Sequence, residues 1–217
     1  MNLHARFRNE SALTLLEVIV VVGILAVLVL MILGTYAGPA SRLKAQKIRC
    51  TSNLKQLGMS YRVWEGDHLD SYPMSVSLTN GGSMELAQTG NVVLTYLIMS
   101  NEISAPQILW CPADTAHQKC ETFARLSISN ISYFVNVDAS EANPQEVLTG
   151  DSNLEINGQP VKSGLVSIWT NDFVSWQPNR HGKSGNIGMA DGSVQSATTH
   201  GLTVYFRDIG TNRLAIP

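Results

Sequence analysis

Cysteine and charge are both scarce in this chain. Three cysteines stand among 217 residues, too few for a disulfide-built scaffold; in an exported domain they allow one disulfide and leave one thiol over. Charged residues make up 15% and the net charge is −2, so there is no basic surplus and no nucleic-acid partner is inferred. No glycine-rich phosphate loop, dinucleotide-binding fingerprint or G-x-S-x-G elbow occurs, which removes the usual motif basis for nucleotide or serine-hydrolase chemistry. No D-x-D-x-D-G run marks a calcium loop. Internal repeats, charge blocks and low-complexity tracts are absent as well.

What is present is one long apolar run. Ser11 to Leu33 reads SALTLLEVIVVVGILAVLVLMIL and holds no polar side chain from Val18 onward. A helix rises ~1.5 Å per residue and a bilayer core is ~30 Å thick, so the run is long enough to span one. Its greasiness on every face argues against a core helix of a soluble protein. A secretory signal peptide, with a passable cleavage site in GTYAGPAS, and a plain anchor are the competing explanations. Neither accounts for Glu17, an acid inside the apolar run that costs a few kcal/mol at bilayer depth unless it snorkels or finds a cation.

The polar leader MNLHARFRNESA precedes the run, with Arg6 and Arg8. A cut between Ala12 and Leu13 would create an α-amine one helical turn from Glu17. A small residue, the cut, an apolar residue, Thr14, two leucines and then Glu17 resemble the processing site of type IV prepilins and type II secretion pseudopilins. In that family a membrane-embedded prepilin peptidase cleaves on the cytoplasmic side and N-methylates the new first residue. Ala12 and Leu13 depart from the usual Gly and Phe but keep small-then-apolar. The flanking charges point the other way: Arg42, Lys44, Lys47 and Arg49 follow the run, a bias that alone places the globular part in the cytoplasm.

After the run, Gly38-Pro39 predicts a kink or short break. Helical signals resume at Ser41, and Leu43, Cys50, Leu54, Leu57, Tyr61 and Trp64 fall on one stripe, with most of the basic residues on the other faces. The words NLKQLG, Tyr72-Pro73 and LWCPAD resemble bacterial prepilin-type proteins that carry a C-terminal H-x9-D-G signature, found here as His181 with Asp191-Gly192. The expected organisation is a leader over 1–12, a transmembrane helix over 13–38, an amphipathic stem over 39–65 and a globular domain over 66–217. Beyond Gly66, short strands are expected at Ile108–Cys111, Ile131–Val137, Val147-Leu148, Leu154–Ile156, Leu165–Thr170 and Arg213–Ile216. VVLTYLIMS reads as a short helix with strand as its rival, Gly150-Asp151 as a turn, and Leu202–Asp208 as a last helix. Gly185–Ala190 and Ser193–Ala197 form the clearest hairpin, with Asp191-Gly192 as a two-residue turn at φ > 0. The fold class is α+β, a long N-terminal helix packed on a mostly antiparallel sheet, which the resemblance makes pilin-like.

His181 and Asp191 invite comparison with a base and its orienting carboxylate. No nucleophile in a recognisable setting completes them, so a structural role at the hairpin is expected and no catalytic residue is assigned. Cys111, His117 and Cys120 in CPADTAHQKC do not match a standard zinc spacing and no metal site is assigned. A Cys111–Cys120 disulfide closing that loop is expected, with Cys50–Cys111 as the rival pairing. No cofactor is expected; calcium is the one candidate ion, at Asp151-Ser152-Asn153 among the scattered acids Asp138, Glu141, Asp151 and Asp172. Trp169 and Trp176 are expected to fill core or rim.

The resemblance implies a non-enzymatic filament subunit, pseudopilin-like, of a type II secretion or related pilus system. It implies cutting between Ala12 and Leu13, N-methylation of Leu13, and Glu17 setting assembly register. Its partners are prepilin peptidase, other pilin-like subunits, the inner-membrane assembly machinery and, before assembly, the lipid bilayer. The chain would sit single-pass in the inner membrane with its C-terminal domain outside the cytoplasm. The alternative is an anchored, exported binding domain that does not polymerise.

Overall fold

The computed structural model describes residues 14–34, 38–207 and 212–217. The chain forms two compact units, one ending at Arg42 and one running from Leu43 to Pro217. In the first, helix α1 spans Leu15–Gly34, every described side chain of it exposed. Its stretch Leu15–Leu33 is long and apolar enough to cross a membrane. Thr14 caps it: the Glu17 backbone N–H donates to Thr14 Oγ1 (3.3 Å), and the Thr14 N–H and hydroxyl donate back to Glu17 Oε2 (2.8 and 3.0 Å). This reciprocal capping box satisfies amides that the helix start leaves unpaired. Ala12 and Leu13 lie outside the described residues.

Helix α2 spans Pro39–Gly66 and carries the second unit's first buried residues. Of the expected stripe, Cys50, Leu54, Leu57, Tyr61 and Trp64 are buried, whereas Leu43 is 61% exposed. Burial begins at Cys50, where the helix first meets the domain core. Short helices α3 (Met84–Ala87) and α4 (Val93–Ile98) follow, the latter resolving the helix-or-strand ambiguity of VVLTYLIMS. The strand expected at Ile108–Cys111 is instead a 3-10 turn over Pro106–Leu109; a short apolar run reads the same in either state, and Pro106 at its first position presets the helical φ.

The strands are β1 (Tyr133–Asn136), β2 (Val147–Asp151), β3 (Leu154–Ile156), β4 (Gln159–Pro160), β5 (Gly164–Ile168), β6 (Val174–Trp176), β7 (Ser184–Met189), β8 (Val194–Thr198) and β9 (Asn212–Ile216). Helix α5 (Thr199–Arg207) lies between the last two. Six strands form one sheet in the order β5-β9-β1-β2-β7-β8, and β4-β3-β6 form another; all their pairings are antiparallel. Alternate residues of β1 face opposite cores. Tyr133 and Val135 join α2 in one, while Phe134 joins Trp176 of β6 and Leu202 and Phe206 of α5 in the other. The central strands β1, β2 and β7 are therefore buried on both faces, and β1 is hydrophobic from Tyr133 to Val135 for that reason.

Two turn expectations are corrected. Gly150-Asp151 ends strand β2 instead of making a turn: Gly150 pairs with Phe134, and a Cβ there would meet the Phe134 ring at 2.9 Å. Glycine serves close approach here. Inside the Met189–Ser193 hydrogen bond the β7–β8 turn holds three residues, Ala190–Gly192, not two. Gly192 N–H donates to Met189 O (3.0 Å) and Met189 N–H to Ser193 O (2.8 Å), and within this loop Gly192 alone has positive φ, at 81°. This is a type I turn closed by a left-handed glycine, the common three-residue hairpin.

Candidate functional site

The short words singled out in the sequence meet in space, pair by pair. Asn53 of NLKQLG donates from Nδ2 to the carbonyl of Trp110 in LWCPAD (2.9 Å). Gly58 of the same word packs on the hairpin turn, where a Cβ would meet Gly192 Cα and O at 3.3 Å. Tyr72 donates its hydroxyl to Ala190 O (2.8 Å), just before Asp191. Asp114, which ends LWCPAD, pairs with Arg180, the residue before His181, at 2.5 Å. Cys111 is joined to Cys50 of α2. The expected Cys111–Cys120 bridge is thus corrected to the rival pairing. Cys120 is a buried free thiol that donates to Thr122 O (3.1 Å). Cys50 lies on the buried face of α2 and Cys111 directly beneath it, and that proximity exists only after folding.

His181 and Asp191 bracket strand β7, one before Ser184 and the other after Met189. Six strand residues at ~3.3 Å each hold them ~20 Å apart, so they form no dyad. Asp191 is exposed and accepts from Ser193 N–H (2.8 Å). His181 turns inward from a left-handed run, His181-Gly182-Lys183 at φ 50°, 59° and 58°, pinned by Ser184 Oγ donating to His181 O (2.7 Å). Its Nε2 lies 3.3 Å from Cys111 Sγ and 3.7 Å from Asp151 Oδ2. The carboxylate beside the histidine is therefore Asp151, not Asp191.

Asp151 is buried in strand β2, not on an oxygen-rich surface loop as the calcium reading expected. Its Oδ2 accepts from Asn186 N–H (2.8 Å) and Nδ2 (3.1 Å). The other acids are engaged separately: Asp138 with Arg213, Glu141 with Arg62, and Asp172 with Asn157 and the Trp169 N–H. His117 Nδ1 donates to Asp114 Oδ2 at 2.8 Å instead of joining the cysteines. Trp176 is core at 2% exposure and Trp169 is rim at 61%.

Arg180 is the cation of this cluster. It donates to Ser132 O (2.9 Å), pairs with Asp114 and approaches Asp151 Oδ1 at 3.9 Å. Arg180, Asp114, Asp151 and His181 have side-chain exposures of 4, 2, 0 and 1%, so among the described residues the cluster is closed to solvent. Burial alone would raise the Asp114 carboxyl, but the His117 hydrogen bond and the Arg180 charge outweigh it and hold the group well below the usual carboxylate range. Burial pushes Asp151 up, against the partial opposition of Arg180 and His181. Burial also pushes His181 down, more than Asp151 pulls it up.

The arrangement thus ties α2, the Cys111 segment and strands β2 and β7 together. Sequence reasoning missed Arg180, Asp114 and Asp151 as partners. The only signal was adjacency, since Arg180 precedes His181 and Asp114 ends LWCPAD.

A depressed histidine destabilises the fold on acidification. The unfolded chain takes up the proton first, so stability declines as pH falls below the ordinary histidine value of ~6.5 toward the lower folded value. We expect His181→Gln to flatten the slope of unfolding free energy against pH between about 7 and 5; an unchanged slope in denaturant titrations would show that His181 is not the group responsible.

Comparison with family models, curated proteins and solved structures returns no match.

Proposed function

We propose that this chain is a structural subunit of a type IV filament, pseudopilin-like, with no catalytic role. The observation that carries the reading is Glu17, an acid in the first turn of a span-length apolar helix, at a fixed offset from the Ala12-Leu13 junction. The interlocked words of the second unit add support, because the H-x9-D-G signature there does mechanical work. The precursor inserts with Arg6 and Arg8 in the cytoplasm, and the peptidase cuts after Ala12 and methylates Leu13. Subunits leave the bilayer as their apolar helices pack, and Glu17 pairs with the Leu13 amine of a neighbour, removing an unpaired buried charge.

The capping box supplies a purely local reason for an acid at position 17, so the test must separate charge from capping. Glutamine preserves the box and alanine destroys it. Both Glu17→Gln and Glu17→Ala should insert normally and lose incorporation into filaments by about tenfold or more. If Glu17→Gln assembles like the parent, Glu17 is a helix cap and the pairing is wrong. Mass spectrometry of the mature chain should find N-methyl-Leu13 as the first residue. A native chain that stays monomeric in mild detergent and in membrane crosslinking is an anchored module instead.

A further inference from the structure

We propose that Cys50, Cys111 and His181 form a buried binding site for a divalent ion of the zinc class when the Cys50–Cys111 disulfide is reduced. The three donor atoms, two sulfurs and one imidazole nitrogen, lie within 4.8 Å of one another and all three side chains are buried. Zinc binds sulfur at ~2.3 Å and imidazole nitrogen at ~2.0–2.1 Å in tetrahedral sites, which puts ligand atoms roughly 3.5–3.8 Å apart. The Cys111 Sγ to His181 Nε2 distance of 3.3 Å already approaches that spacing. Opening the disulfide lets the sulfurs separate to about the same value by side-chain rotation.

A fourth donor stands beside them. Asp151 Oδ2 is 3.7 Å from the same Nε2, and Asp151 Oδ1, fully buried, has no hydrogen-bond partner. Arg180 lies 3.9 Å from this oxygen without hydrogen-bonding it, so its lone pairs stay available to a closer cation. Two thiolates, an imidazole and a carboxylate suit zinc better than calcium or magnesium.

The chemistry balances with a dithiol or phosphine reductant. The reductant delivers two electrons, two protons complete the Cys50 and Cys111 thiols, and the reductant is oxidised. The ion then displaces both thiol protons to solvent. His181 offers the Nε2 lone pair, its single ring proton residing on Nδ1, and stays neutral. The bound ion takes over the cross-link between α2 and the Cys111 segment. Because the donors are enclosed, binding is coupled to folding of the reduced chain. The ion would hold α2 in register before the disulfide forms.

The test uses the full chain in detergent, reduced with a phosphine, with Co2+ as a spectroscopic probe and Zn2+ as competitor. One Co2+ per reduced chain should bind with a thiolate charge-transfer band, Zn2+ should bleach it, and the oxidised chain should show none. His181→Ala should weaken binding by about tenfold or more, while Cys120→Ser leaves it unchanged. Absence of the band, undiminished Co2+ affinity in His181→Ala, or loss of the band in Cys120→Ser alone overturns the site. If reduction unfolds the second unit, Zn2+ should restore its circular dichroism; failure to do so also overturns the proposal.

Discussion

Arg180→Met should lower the unfolding free energy of the second unit by about 3–5 kcal/mol, the usual loss when one partner of a buried ion pair is removed. Arg180 is the one cation shown against both Asp114 and Asp151, at 2.5 and 3.9 Å, and it also donates to Ser132 O. Without it two buried carboxylates lose their counter-charge. The pH dependence gives the effect a signature. In the parent chain the depressed Asp114 stabilises the fold above the ordinary carboxylate value, and that contribution disappears as pH falls through the lower folded value. In Arg180→Met the Arg180 charge no longer opposes burial, so the folded values of both carboxyls rise relative to the parent. Protonation then relieves the variant, and its deficit narrows as pH falls from about 7 toward 4. Denaturant titrations at several pH values, followed by fluorescence of the buried Trp64 and Trp176, measure this. A shift below about 1 kcal/mol, or a deficit that widens in acid, would reject the role given to Arg180.

Cys50→Ser should cost a similar amount by a different route. The bond closes a segment with a sequence separation of 61. The chain-entropy relation for a loop of that size gives about 4 kcal/mol, acting on the unfolded ensemble. Cys120→Ser should cost about 1 kcal/mol or less, since that thiol is free and makes a single hydrogen bond. Reduction of the parent should reproduce the Cys50→Ser loss when no metal is supplied. Peptide mapping of the unreduced chain should recover Cys50 linked to Cys111. A Cys111–Cys120 peptide would refute the pairing directly.

The two effects act on one junction. The disulfide holds Cys50 of α2 against the segment that also carries Asp114, and Arg180 ties that segment to the turn leading into β7. Gly58 and Tyr72 fasten the other end of β7 through Gly192 and Ala190. Strand β7 is clamped at both ends, which gives the histidine before it and the Asp-Gly pair after it structural roles although they never meet.

Periodicity alone determined much of this molecule. The run with no polar side chain after Glu17 forms one helix long and apolar enough to cross a membrane. The 3.6-residue stripe identified five of the side chains that α2 buries, and glycine placed the hairpin turn after β7. These features are local: each depends on residues within a few positions of one another, so the chain spells them out in order. What the tertiary structure alone decided is pairing across distance. Cys111 joined Cys50 in preference to Cys120, nine residues away, because α2 lies against its segment. His181 found Asp151 in place of Asp191 because a strand of six residues separates the two members of its own signature. Asp151 left its expected loop because the β1–β2 pairing runs through it, with Asp151 opposite Tyr133. A disulfide or a charge pair has no period, and it is specified only by which surfaces the packed layers bring together.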